Sequence, residues 1–154
     1  SEGLTLNQAL DAVRNDEQAN LGDLARWTSY GLNSYTARSV APSLDDTFDR
    51  IELIHHPTHV VHFLMMTEGE LSGSEPYATS DHVHPDDWSD GPGGAQSAPL
   101  LASRQMSLAP HGGEETGWDG RANYSFLDGH AETREFQRVY TNHTLNSFHP
   151  DHIN

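Results

Sequence analysis

The strongest constraint on the fold is a hairpin signal within residues 121–136, RANYSFLDGHAETREF. Asp128-Gly129 stands between two runs in which apolar and polar residues alternate, and glycine tolerates the positive φ that a two-residue type I′ turn requires. The pairs predicted across this turn are Leu127 with His130, Phe126 with Ala131, and Tyr124 with Thr133. The face predicted to be buried carries Ala122, Tyr124, Phe126, Ala131 and Thr133. The sequence therefore predicts a half-buried antiparallel hairpin.

A second segment, HVVHFLMMT at residues 59–67, is the most apolar in the chain. Only 34% of the residues are hydrophobic, so segments that can form a core are few and much of the chain must be loop or solvated surface. The β-branched and aromatic residues of 59–67 favour a strand. We expect this segment to be the central, buried strand of the sheet.

Residues 5–27 carry a helical pattern. Thr5 and Gln8 have the spacing of a capping box, and further along the segment apolar residues recur at helical intervals. The apolar stripe consists of Leu6, Leu10, Val13, Leu21, Leu24 and Trp27. Residues 14–20 between its two halves are polar on all sides, so one helix and two short helices both fit the pattern. The stripe is expected to pack on the domain or on a neighbouring molecule.

Together these segments predict an α+β fold in a single domain over residues 1–154, with an N-terminal helix packed on a small antiparallel sheet. Residues 68–120 are dominated by Gly, Ser, Pro, Asp and His and show no regular periodicity, which predicts a long polar loop region. Residues 139–154 hold scattered apolar anchors among His and Asn, which predicts an extended C-terminal arm.

The charge balance excludes several partners. The chain has 23 acidic residues against 8 basic ones and a formal net charge of −15, so it repels nucleic-acid phosphates and anionic membrane surfaces. Cysteine is absent, which excludes disulfides, thiolate zinc sites and cysteine nucleophiles. The longest apolar run, within residues 60–66, is too short to span a bilayer.

Clustered carboxylates suggest a cation. Calcium accepts six to eight oxygen ligands from irregular loops. The candidate ligands are Asp86, Asp87, Asp90 and Asp119, with Asp81 and Asp128 also available. No EF-hand spacing occurs among them, so a calcium site and a solvated acidic loop both fit the pattern.

The 11 histidines raise the possibility of zinc. His82 and His84 would share one face of a strand, and four more lie between residues 55 and 62, namely His55, His56, His59 and His62. No HExxH motif is present, and polar capping of a strand end explains the second group better than a metal does. The absence of a G-x-S-x-G motif argues against a hydrolase, and we expect no catalysis.

Two sequons for N-glycosylation occur, Asn123-Tyr124-Ser125 and Asn142-His143-Thr144. A sequon in a chain of this size is ordinary by chance. The first lies on the polar face of the predicted hairpin and the second in the predicted arm, and from the sequence alone we expect neither to be modified.

Residues 120–132, GRANYSFLDGHAE, resemble the C-terminal signature of prepilin-type proteins that is named for a His, nine intervening residues and Asp-Gly. The matching positions are Ala122, Asn123, Tyr124, Phe126, Asp128, Gly129, His130 and Glu132, with Ala131 in place of the usual Val. Residues 29–35, SYGLNSY, resemble the family's Ser-Tyr-x-x-Asn segment. Residues 51–68 resemble its segment of Ile, Pro and an apolar run that ends in an acidic residue. The three matches occur in the family's order.

The chain departs from the family at two points. The position that should hold the signature His is Trp118, and the nearest alternative, His111, lies seven residues further upstream. The family's processing site and hydrophobic assembly helix are not found in this sequence, which fits either a trimmed fragment or another route of assembly.

The resemblance implies a pilin-like fold and a structural role, not an enzyme. The expected protein is a self-assembling subunit of an extracellular or periplasmic filament, or a pseudopilin of a secretion machine, forming a helical homopolymer. The stripe of residues 5–27 and the arm 139–154 are the expected contacts between subunits. Calcium in a C-terminal loop is a property of major pseudopilins as a class. The alternative is a monomeric, calcium-stabilised binding module at the cell surface.

Overall fold

The computed structural model describes residues 30–37, 48–67 and 81–152, so the predicted helix over 5–27 lies outside the described residues. Within these residues, five strands form one sheet in the order β3-β1-β2-β4-β5. Their bounds are β1 Tyr30–Asn33, β2 Val61–Met65, β3 His82–Val83, β4 Arg121–Phe126 and β5 Ala131–Glu135. The α+β class is confirmed, but the sheet is mixed and not purely antiparallel, because β3 pairs with β1 in the parallel direction.

Strand β2 lies in the middle of the sheet, as predicted for residues 59–67. Only one of its faces is buried: Val61 and Leu64 are fully covered, whereas Phe63 is 41% exposed. The register shifts between Val61 and Phe63, which marks a β-bulge opposite β4. The central position is therefore confirmed, and the burial is one-sided.

The hairpin of β4 and β5 forms at the predicted place but with a different turn. Tyr124 pairs with Glu132, one residue away from the predicted register. The loop has three residues, 127–129, and is closed by a hydrogen bond from the Gly129 N–H to the Phe126 carbonyl at 2.9 Å. Gly129 has φ 91°, which fits the left-handed residue that follows a type I turn in three-residue hairpin loops. The prediction of a two-residue type I′ turn was wrong.

The shifted register changes which side chains of β5 face the core. A slip of one residue moves every side chain of a strand to the opposite face. Ala131 and Thr133, which were predicted to be buried, are exposed, and Glu132 lies beside the buried Tyr124 instead. The prediction for β4 holds, since Ala122, Tyr124 and Phe126 are all buried.

Two short helices and several turns cover the buried face of the sheet. The helices are α1, Ala98–Ala102, and α2, Phe136–Val139, and the 3₁₀ turns are Ser34–Thr36, Ile51–Leu53, Asp87–Ser89 and Gly94–Ser97. The described part of the predicted loop region, residues 81–120, supplies buried core side chains at Val83, Trp88, Ala98, Ala102, Met106 and Leu108. Residues 81–120 are therefore not a polar loop that covers the domain, as predicted, but part of its core. The sequence carries no periodic signal for this because each short turn contributes only one or two apolar side chains.

The C-terminal segment, residues 139–152, is folded onto the core and is not an extended arm. Strands β6, Tyr140–Asn142, and β7, Leu145–Asn146, form a second hairpin. Phe148 beyond it is fully buried, with its ring centroid 5.0 Å from that of Trp88. The N–H of Val61 also donates to the Ser147 carbonyl at 2.7 Å. Because the chain has few apolar residues, the buried rings of Tyr140 and Phe148 form a necessary part of its core.

Candidate functional site

The face of the sheet opposite the core carries an apolar strip. The pairing of β1 with β2 places Tyr30 beside Met65 and Leu32 beside Phe63 on this face. Tyr30 and Phe63 are among the most exposed large hydrophobic residues, at 59% and 41%. A contiguous exposed apolar surface on a small domain is typical of a contact surface.

The strip continues into a groove across β4 and β5. This groove has a volume of about 310 Å³ and extends from Tyr30 and Phe63 to Asn123, Ser125 and Thr133. The Thr133 hydroxyl donates to the Asn123 Oδ1 at 2.6 Å. One half of the open face is therefore aromatic and the other half is formed by small polar side chains.

A charged cluster covers the edge of the core at the tip of the β4–β5 hairpin. The His130 ring is stacked on the buried Phe126 ring with centroids 4.5 Å apart and planes 2° from parallel. The guanidinium of Arg134 lies 4.9 Å from the centre of the same ring. The three-residue loop sets the register of β5, and this register places the side chains of His130 and Arg134 on the same side of the sheet as Phe126.

Ion pairs hold this cluster in place. The His130 Nδ1 lies 2.5 Å from Asp128 Oδ1, and its Nε2 lies 3.3 Å from Glu132 Oε1, which also pairs with Arg134. The hydrogen bond with Asp128 raises the pKa of His130, and the bond with His130 lowers the pKa of Asp128. The Arg134 guanidinium lowers the pKa of Glu132. Asp128, His130 and Glu132 are positions of the segment that resembles the prepilin-type signature, and in this structure they pair with one another or with Arg134 at the tip of the hairpin.

The predicted calcium ligands do not all come together. Asp86, Asp87 and Asp90 share one 3₁₀ turn, Asp87–Ser89 with its flanking residues. Asp119 belongs to another loop, where its Oδ1 accepts a hydrogen bond from the Glu114 N–H at 3.3 Å. Within residues 30–37, 48–67 and 81–152, no group of three or more His, Asp or Glu side chains is arranged to hold a metal ion.

The carboxylate of Asp86 is partly buried within this turn. Its Oδ1 is buried and has no hydrogen-bond partner among the described residues. Burial raises the pKa of Asp86, and the negative charges of Asp87 and Asp90 act in the same direction. A carboxylate in this situation is destabilised unless a proton or a cation neutralises it.

The pairing of His82 with His84 follows the prediction. The rings of His82 and His84 lie 4.6 Å apart on one side of β3, as expected for positions i and i+2. His62 in β2 contacts the Thr36 hydroxyl through Nδ1 at 3.0 Å, and burial lowers its pKa. Burial and the nearby His82 lower the pKa of His84. The capping role predicted for the histidines of residues 55–62 stays a prediction, since His62 lies inside β2.

Sequence reasoning missed the importance of Asn33, which lies in the 29–35 match. Its buried side chain donates from Nδ2 to the carbonyls of Val61 and Phe148, at 2.8 and 2.7 Å. It thereby ties β1 to β2 and to the C-terminal segment. A polar residue inside an apolar strand pattern is a signal that could have identified this role.

The three segments that resemble prepilin-type proteins are neighbours in space. Residues 29–35 contain β1, residues 51–68 contain β2, and residues 120–132 contain β4 and the turn into β5. These strands are consecutive in the sheet order. Comparison of the chain with protein-family models, with curated proteins and with solved structures finds no match. Among the described residues, no helix has the length and apolar character needed to cross a membrane.

Proposed function

We propose that the protein is a structural, non-catalytic subunit of an extracellular or periplasmic filament, of the pilin or pseudopilin kind. The observation that carries this proposal is that the three resembling segments, separated by long stretches of sequence, form adjacent strands of one sheet. Segments that resembled the family only by chance would not be expected to lie on neighbouring strands. Fold alone does not imply function, so the proposal needs a direct test of assembly.

The open face of the sheet supports a pilin-like arrangement. Tyr30, at the start of β1, lies three residues after the end of the segment with the predicted helical stripe and belongs to the exposed apolar strip. We propose that the stripe of residues 5–27 packs on this strip in its own subunit or in a neighbouring one. Burying the strip would remove Tyr30 and Phe63 from water, the usual driving force for such contacts.

The net negative charge of the chain opposes assembly, so assembly should depend on the salt concentration. Copies that each carry a formal charge of −15 repel one another, and the repulsion weakens as added salt shortens the screening length. Divalent cations would neutralise facing carboxylates more effectively than monovalent ones. We therefore expect filaments to form more readily at high ionic strength or with calcium.

The test is negative-stain electron microscopy of the full chain at low and high ionic strength, with calcium or with a calcium chelator. Filaments that dissolve on chelation would support both the polymer and a cation bound to the acidic turns. Filaments that persist in chelator would support the polymer and exclude calcium as its main stabiliser. Dispersed monomers under every condition would refute self-assembly.

Variants of the predicted stripe locate the contact. Val13→Glu places a charge on the stripe, and we expect it to abolish filaments or to destabilise the domain. Gln18→Glu adds the same charge within the polar stretch, and we expect it to leave filaments intact. Equal effects of the two substitutions would show that the added charge, not loss of the stripe, is responsible.

A second candidate function is a monomeric, calcium-stabilised binding module at the cell surface. The buried, unpartnered Asp86 oxygen favours it, because a cation would compensate that charge. Calcium should then raise the melting temperature of the monomer, and Asp86→Asn should remove the increase. The absence of a calcium-dependent shift would contradict this alternative.

A further inference from the structure

The two sequons, which the sequence left equivalent, have different structures. Asn142 lies at the end of β6, and the turn from β6 to β7 contains His143 and Thr144. Asn123 lies within β4, in the interior of the five-stranded sheet. The local geometry therefore distinguishes a sequon at a hairpin tip from a sequon inside a sheet.

The second sequon, residues 142–144, forms an Asx turn closed by its own threonine. The Asn142 Oδ1 accepts a hydrogen bond from the Thr144 N–H at 2.8 Å and another from the Thr144 hydroxyl at 2.9 Å. The carboxamide is planar, so engagement of Oδ1 inside the turn directs Nδ2 away from it. Among the described residues, Nδ2 donates no hydrogen bond.

Further hydrogen bonds hold the turn, and its tip is accessible. Asn146 holds it from below, since its Nδ2 donates to the carbonyls of Asn142 and His143 at 3.1 and 3.0 Å. The His152 Nδ1 contacts the same His143 carbonyl at 2.8 Å. His143 and Thr144 are exposed. An enzyme can therefore reach the tip while the amide keeps one orientation.

Asn123 lacks these features. Its Oδ1 accepts a hydrogen bond from Thr133 of the neighbouring strand, not from Ser125 of its own sequon. It also lines the groove on the open face. Extended backbone within a paired strand cannot form an Asx turn, and a glycan there would obstruct the open face.

We propose that Asn142 is an N-glycosylation site of the folded protein and that Asn123 is not. The co-reactant is an oligosaccharide linked through pyrophosphate to a lipid carrier. In the transfer, a bond forms between Asn142 Nδ2 and the anomeric carbon of the sugar, and the bond from that carbon to the pyrophosphate oxygen breaks with its electron pair. The proton lost from Nδ2 goes to a base of the transferase, and the lipid pyrophosphate leaves.

Thr144 acts as a positioning residue. Its hydroxyl bond to Oδ1 holds the carboxamide in the orientation that presents Nδ2. Serine keeps that hydroxyl and alanine does not, so the two substitutions separate the role of the hydrogen bond from the role of side-chain volume.

The test uses the purified, folded full chain, a transferase that accepts any Asn-x-Thr, and its lipid-linked oligosaccharide, with intact-mass spectrometry as the readout. A peptide spanning residues 139–147 confirms that the transferase is active. We expect one added glycan, which disappears in Asn142→Gln and remains in Asn123→Gln. Because the transferase itself recognises the threonine, Thr144→Ala is made both in the chain and in the peptide. The initial rate should fall about tenfold more in the folded chain than in the peptide, as expected for loss of one hydrogen bond in the preformed turn, and Thr144→Ser should restore it.

Circular dichroism melting of each variant establishes that it is folded. A glycan on Asn123, equal modification of both sequons, or an unmodified folded chain while the peptide is modified would each overturn the proposal. Equal initial rates for Thr144→Ala and Thr144→Ser would refute the role of the hydroxyl bond.

Discussion

Replacing Asn33 by alanine removes the side chain that joins β1 to β2 and to the C-terminal segment. Asn33 is fully buried, and its Nδ2 donates to the Val61 and Phe148 carbonyls. Its Oδ1 accepts a hydrogen bond from the Tyr35 N–H at 3.2 Å. The substitution therefore takes one hydrogen bond away from each of three buried main-chain groups.

The expected cost follows from the number and burial of these bonds. A buried group that loses its partner costs about 1–3 kcal/mol, and the three losses share one site and are not fully additive, so we expect a total of about 3 kcal/mol. The free energy of unfolding of a small domain is only about 5–15 kcal/mol. The variant should therefore remain folded at room temperature but unfold at a clearly lower urea concentration.

Urea unfolding followed by tryptophan fluorescence measures this cost, because Trp88 is fully buried in the core. The matched control is Asn123→Ala, which removes an exposed asparagine whose hydrogen bond is to the Thr133 hydroxyl. We expect the control to change the free energy of unfolding by less than about 0.5 kcal/mol. The slope of the transition should stay the same in both variants, since the surface exposed on unfolding is unchanged.

The reasoning would be refuted if Asn33→Ala cost no more than Asn123→Ala. That result would mean that water or local rearrangement satisfies the carbonyls of Val61 and Phe148. Asn33→Asp adds a further check, because it keeps an acceptor for Tyr35 and loses both donors. Its loss of stability should exceed that of alanine at neutral pH, where the buried carboxylate is charged.

Three further predictions concern charge and turn geometry. The raised pKa of His130 and the lowered pKa of Asp128 mean that their pairing stabilises the hairpin only while both are charged. Protection of hairpin amides from hydrogen exchange should therefore fall as pH drops through the lowered carboxyl pKa and as pH rises through the raised histidine pKa, and His130→Gln should flatten both limbs. Because the pKa of Asp86 is raised, its ionisation opposes folding; Asp86→Asn should raise the melting temperature at pH above that pKa and converge with the unmodified protein in acid, whereas Asp90→Asn, which removes only one of the neighbouring charges, should raise it by less. Gly129→Ala should cost about 1–2 kcal/mol in thermal unfolding, because φ 91° strains any residue with a Cβ, and a smaller loss for Ala than for Asn would contradict this.

The two elements that sequence reasoning located best are the hairpin and the central strand. Both depend on local signals: alternation of apolar and polar residues around Asp128-Gly129, and the apolar run within residues 59–67. The predicted register of the hairpin was wrong because Asp-Gly fits both a two-residue and a three-residue loop. The choice between them depends on the hydrogen bonds at Phe126 and on the packing of its ring against His130.

The candidate calcium ligands likewise differ in whether local sequence predicts their positions. Asp86, Asp87 and Asp90 are close in sequence, so one turn brings them together. Asp119 is distant in sequence, and nothing local indicates whether a chain will return to the same point. The fold places it in a separate loop, where it accepts a hydrogen bond from the Glu114 N–H.

The positions of the turns and of the main strands can be inferred from the amino-acid sequence alone, because periodicity and turn chemistry act over a few residues. Three features are visible only in the folded chain: β3 runs parallel to β1, the C-terminal segment is buried, and Asn33 links three parts of the chain. These outcomes depend on contacts between distant residues. With 34% hydrophobic residues, the core is completed by whichever aromatic side chains the topology can bring together, and Tyr140 and Phe148 fulfil that need.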